Sequence, residues 1–80
     1  MTKDLHPTDT LDCIGLFCPE PLFQTRQKMD SLSIGDMLEV LTDDPAAEED
    51  ITRYCKRTGQ ELVSLNKDDE DLQFFIKKLN

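Results

Sequence analysis

A two-layer α/β sandwich (α+β in the broader sense) is the fold the sequence predicts. Its elements run β-α-β-α-β-β, with a four-stranded mixed sheet carrying both helices on one face. Three observations predict it. Two stretches with helical apolar spacing, one from Leu22 to Leu32 and one from Ala47 to Thr58, alternate with short apolar or period-2 runs. Start and stop residues frame them: Pro19 and Pro21 before the first, Pro45 and Gly59 around the second. The third is length, since 80 residues hold one domain with one modest core. A chain this short buries roughly 60% of its unfolded surface, which excludes a deep cavity under its own lid.

Residues 1–9 are polar, contain Pro7, and are expected to form a flexible lead-in. That leaves residues 10–80 as the domain. Leu11 and Cys13 alternate with Thr10 and Asp12, a short strand ending at Gly15. Cys18-Pro19-Glu20-Pro21 then reads as a helix start, because amides in a first turn have no intrahelical partner and proline costs nothing there. Leu22, Thr25, Met29 and Leu32 share one face of that helix, and Gly35-Asp36 breaks it. Met37 to Leu41 is compact enough for a central strand. Asp44 is the expected N-cap of the second helix and Pro45 its first residue. Glu48, Glu49 and Asp50 sit at its positive end, and Arg53, Lys56 and Arg57 near its negative end. Ala47, Ile51, Tyr54, Cys55 and Thr58 form its inner stripe, and Gly59 stops it. Leu62 to Leu65 is the third strand, Asn66 to Asp71 an acidic turn, and Leu72 to Leu79 the fourth strand with Phe74-Phe75-Ile76. Strand-helix-strand passages should be right-handed crossovers, and the last pair an antiparallel hairpin.

Nine basic against 17 acidic residues leave a net charge of −8. Such a chain repels phosphate backbones, so direct tight nucleic-acid binding is not expected. No run approaches the 18 or so apolar residues of a membrane span, and the first nine residues lack the apolar core of a secretory signal. The expected location is the cytoplasm. In that reducing compartment Cys13, Cys18 and Cys55 are thiols, not a disulfide framework.

Cys18 is the informative one. It lies between a strand and a helix, directly before Pro19, where orphan amides and the helix dipole favour a thiolate. The dipole is worth up to about 2 kcal/mol, which brings a thiol from roughly 8.5 to somewhere near 7–8, with Glu20 opposing it. Cys55 sits at helical spacing with Ile51 and Tyr54 and reads as buried and inert; Cys13 reads as strand packing. A metal site is not expected: Cys13 and Cys18 are five apart, not three, and the single histidine, His6, lies in the lead-in. No histidine accompanies Cys18 in the ordered chain, so acyl-transfer chemistry is disfavoured. Asp43, Asp44 and Asp50 need no more than helix capping to explain them. A single activated thiol without a base or cofactor suits a carrier of a thiol-linked group better than a complete catalyst.

The stretch Asp12-Cys13-Ile14-Gly15-Leu16-Phe17-Cys18-Pro19-Glu20-Pro21 resembles the D-x-x-G-x-x-C-P-x-P signature of the TusA (SirA-like) sulfur-carrier family. Asp43-Asp44-Pro45-Ala46, Asp50-Ile51, Cys55 and Glu61-Leu62-Val63 resemble its TusA branch in particular. The resemblance implies a fold similar to the C-terminal domain of translation initiation factor three. It implies that Cys18 takes sulfur as a persulfide from a cysteine desulfurase of the IscS type, acting as a sulfurtransferase. Asp12, Gly15, Pro19, Glu20 and Pro21 would be its supporting motif. The sulfur would pass to a TusBCD-type relay and reach 2-thiouridine at the tRNA wobble position; some relatives serve molybdenum-cofactor assembly or sulfur oxidation instead. The chain departs from close relatives at Phe17, where a basic residue is frequent, and in having Cys13. Two other readings compete: a thiol redox protein using Cys13 and Cys18, and an RNA-contacting module without thiol chemistry.

Overall fold

The computed structural model describes residues 6–80. Strand β1 (Asp9–Cys13) leads to helix α1 (Glu20–Ser31), strand β2 (Met37–Thr42), helix α2 (Ala46–Thr58), and strands β3 (Glu61–Asp68) and β4 (Asp71–Lys77). The expected order is observed. The sheet order is β1-β2-β4-β3. β1 pairs parallel with β2, and β4 is antiparallel to both β2 and β3. β4 therefore slots between β2 and β3. Of the lead-in expected over 1–9, residues 1–5 lie outside the described residues, whereas Asp9 already belongs to β1 and the Thr8 N–H donates to the Met37 carbonyl at 2.7 Å.

Alternation assigns the core. Along β2, Leu38, Val40 and Thr42 are buried between half-buried neighbours. On β4 Leu72, Phe74, Phe75 and Ile76 are all buried, and Leu72, Phe74 and Ile76 meet Met29 of α1 and Ala47, Ile51, Tyr54 and Cys55 of α2. Leu22 of α1 and Leu32 at its C-cap pack against that cluster at the spacing the sequence predicts. Gly59 closes α2 with φ +78°, a left-handed conformation that glycine adopts without strain. At the other helix the Lys78 ammonium donates to the carbonyls of Met29 and Leu32, both at 2.8 Å, so β4's continuation caps the end of α1.

The hairpin differs from the sequence reading. β3 runs to Asp68 and β4 starts at Asp71, so the turn is Asp69-Glu70 alone, with Asp69 at φ +57°. Asn66, Lys67 and Asp68 look like loop because β3 is an edge strand: their side chains are exposed although their backbone is paired with β4.

Cys55 is 3% exposed, and burial pushes its thiol up to about 11. Cys55→Ala is expected to cost about 1–2 kcal/mol through the small cavity left behind. A pH dependence follows. The unfolded thiol ionises near 8.5, so above that pH the unfolded chain holds fewer protons than the folded one, and stability falls as pH rises toward 11. The loss is on the order of 2–3 kcal/mol. Urea unfolding of wild type and Cys55→Ala at pH 7 and pH 10.5 checks this: the wild-type advantage at pH 7 should vanish or reverse at the higher pH, because the loss exceeds the cavity cost.

Candidate functional site

The loop between β1 and α1 is built from two tight turns. In the first, the Leu16 N–H donates to the Cys13 carbonyl at 3.1 Å, and Gly15 takes φ +88°, which glycine alone adopts freely. In the second, the Glu20 N–H donates to the Phe17 carbonyl at 2.8 Å. Cys18 and Pro19 stand at the corner of that turn, joined by a cis peptide bond. Cys18, Pro19 and Glu20 are exposed, while Pro21, in the first turn of α1, is buried.

Carboxylates hold this loop from across the chain. The Asp12 carboxylate accepts from the Ile14 N–H at 3.0 Å, which shapes the first turn locally. Asp43 accepts from the Gly15 N–H at 3.0 Å. Asp44 uses both oxygens: Oδ1 accepts from the Ala46 N–H at 3.1 Å at the front of α2, and Oδ2 accepts from the Cys18 N–H at 2.6 Å. From the second turn of α2, Asp50 Oδ2 accepts from Cys18 Sγ at 3.1 Å. The cap of α2 falls on Pro45, one residue after the expected Asp44, and Asp44 holds the first helical amide from just outside the helix. Its other oxygen, together with Asp43 and Asp50, makes α2 and the loop before it the wall of the thiol site. One signal was present in the sequence: three aspartates are more than one helix N-terminus needs.

These contacts overturn the expectation of a thiolate favoured by the helix start. The Cys18 thiol is pushed up, first by its hydrogen bond to Asp50, then by lost solvation and by the charges of Asp50 and Asp44. The reason is placement. Helix α1 begins at Glu20 with Pro19 at its cap, so Cys18 lies outside it, and its own amide is spent on Asp44. A full negative charge at hydrogen-bond distance outweighs the half charge of a helix end further off. Glu20, expected to oppose ionisation of Cys18, bears instead on Cys13.

The three cysteines are free thiols in different settings: Cys13 and Cys55 buried, Cys18 exposed. Cys13 is 0% exposed at the end of β1, where it pairs with Thr42, and burial is the main cause that raises its thiol. Among the described residues no group of three or more His, Cys, Asp or Glu is arranged to hold a metal ion. No helix among them is long and apolar enough to cross a membrane. Beside the thiol the surface is apolar as well as acidic: Phe17 is 77% exposed, and Ile14 and Phe23 are about half exposed.

Asp44→Ala removes both of its hydrogen bonds. It is expected to lower stability by about 1–2 kcal/mol, on the order of 1 for each lost hydrogen bond, and to speed alkylation of Cys18 by removing a charge that opposes its thiolate. Urea midpoints and Cys18 alkylation rates check it; a variant matching wild type in both would show the clamp to be idle.

Comparison with known proteins adds to this geometry. Residues 9–78 match the family described as sulfurtransferase TusA. A protein of Archaeoglobus fulgidus, provisionally named as a sulfur carrier, is 50% identical over 68 residues, covering 84% of this chain and 88% of that one. The sulfur carrier protein TusA of Pseudomonas syringae is 38% identical over 68 residues, covering 85% of this chain and 81% of its own. The crystal structure of a SirA-like protein from Desulfitobacterium hafniense superposes with a TM-score of 0.79 at 22% identity, covering 91% of this chain and 100% of that one, and shares the fold.

Proposed function

The chain belongs to the TusA sulfurtransferase family of sulfur carriers, and from that membership we propose that Cys18 is the residue that carries the sulfur, as a persulfide. The observation that carries the proposal is the single exposed thiol on a rigid corner, with the other two cysteines buried. The loading step is a sulfur transfer between thiols. The Cys18 sulfur attacks the outer sulfur of a donor persulfide, one S–S bond forms as another breaks, and the donor cysteine leaves as a thiol. No oxidant and no cofactor is needed.

The donor is a cysteine desulfurase of the IscS type and the acceptor a TusBCD-type relay protein, in the cytoplasm. The sulfur's destination is 2-thiouridine at the tRNA wobble position. Net charge −8 supports a carrier whose partners are proteins rather than tRNA, and exposed Phe17 supports docking of a protein on the thiol face. Residues Asp12, Gly15, Pro19, Glu20 and Pro21 act by shaping the corner on which the sulfur stands.

Incubation with cysteine and a desulfurase, followed by intact mass, tests the reading. A gain of one sulfur atom is expected, and it should be lost again when a relay protein is added. No gain, while an established carrier in the same tube is loaded, overturns it.

A further inference from the structure

We propose that Asp50 latches the thiol of the empty carrier, takes its proton during loading, and releases the sulfur once it is loaded. The inference rests on Cys18 as the loading site and deepens that reading.

The geometry singles out Asp50 among the acids around the loop. Asp12 of β1 is committed to the Ile14 amide, Asp43 to the Gly15 amide, and Asp44 to the amides of Cys18 and Ala46. Glu20 of α1 bears on Cys13, not on Cys18. Asp50 alone reaches the sulfur, at 3.1 Å. Its neighbours Glu49 and Glu48 on α2 are paired with Arg53 and Lys67, whereas among the described residues no cation pairs with Asp50, Asp44 or Asp43. Nothing basic in this wall competes for the carboxylate.

The contact distinguishes the two states of the carrier by charge. Only a protonated thiol can donate to a carboxylate, so the contact exists for the empty carrier and holds its sulfur against α2. On loading, the thiol proton passes to Asp50 as Cys18 attacks the donor's outer sulfur. The departing donor thiolate takes that proton back, so atoms, electrons and charge balance without a further reactant. A persulfide is a stronger acid than a thiol, so the loaded end is an anion. It has no hydrogen to give Asp50 and meets a like charge instead. The latch opens, and the outer sulfur is directed outward to the acceptor. The raised Cys18 thiol agrees with the closed latch of the empty state.

The test is the pH profile of iodoacetamide alkylation of the full chain, with the label on Cys18 measured by peptide mass. Wild type, Asp50→Asn, Asp50→Ala and Asp50→Glu are compared after circular dichroism confirms folding. The two variants without a carboxylate should move the midpoint to lower pH and speed alkylation at pH 7 about three- to tenfold, while Asp50→Glu stays near wild type. With the carrier loaded first, the same substitutions should change persulfide alkylation less than twofold. An unchanged or higher midpoint in both Asp50→Asn and Asp50→Ala overturns the latch, as does an equal effect on empty and loaded protein. The empty-state profile requires no sulfur loading, so its outcome is independent of whether the carrier reading itself stands.

Discussion

Cys18→Ser is expected to take up no sulfur from a desulfurase and cysteine, and to pass none on, while its fold is unchanged. A hydroxyl cannot accept a sulfur atom by thiol exchange, so the loss should be complete, not partial. The fold should survive because Cys18 is exposed and its side chain makes one hydrogen bond, to Asp50. Surface changes of that kind stay within about 0.5 kcal/mol. Cys13→Ser is the control. It buries a hydroxyl at a position with 0% exposure, which costs about 1–3 kcal/mol, yet the folded variant should load like wild type. Intact mass after turnover, with urea midpoints for each variant, separates the two effects. Retained uptake in Cys18→Ser would place the sulfur elsewhere.

Phe74→Ala is expected to cost about 3–5 kcal/mol, the largest stability effect in the domain. Phe74 is fully buried and heads the fully buried side chains by volume. It sits on β4 opposite Val40 of β2 and Leu65 of β3, so its ring joins the two halves of the sheet beneath both helices. A domain of this size has about 4–12 kcal/mol of total stability, so the variant should melt roughly 15–30 °C lower or fail to fold. Thermal unfolding followed by circular dichroism checks this; a drop of under 5 °C would show that the core tolerates the void.

The helices were legible in the sequence because their information is local. Leu22, Thr25, Met29 and Leu32 repeat at helical spacing, and all four are buried or half-buried in the fold. Gly59 marks the end of α2 by its own conformational freedom. Cys18 was legible for the same reason, since the prolines that follow it act on their own neighbourhood. The environment of the sulfur was not. Asp44 and Asp50 lie 26 and 32 residues from Cys18, and only the parallel pairing of β1 with β2 brings the loops after them together. A reading limited to near neighbours finds a helix end and expects an activated thiol; the fold adds two carboxylates and reverses the sign. β3's polar half was hidden for a related reason, because backbone pairing at a sheet edge leaves no trace in side-chain polarity. The place of β4 between β2 and β3 likewise depends on pairing between distant segments.

The most direct measurement is the position of the transferred sulfur. Wild-type carrier is turned over briefly with desulfurase and cysteine, its persulfide is alkylated, and the peptides bearing Cys13, Cys18 and Cys55 are weighed. The added sulfur is expected on the Cys18 peptide alone, since the other two thiols are buried. Sulfur on the Cys13 or Cys55 peptide, with Cys18 unmodified, would contradict Cys18 as the carrier thiol.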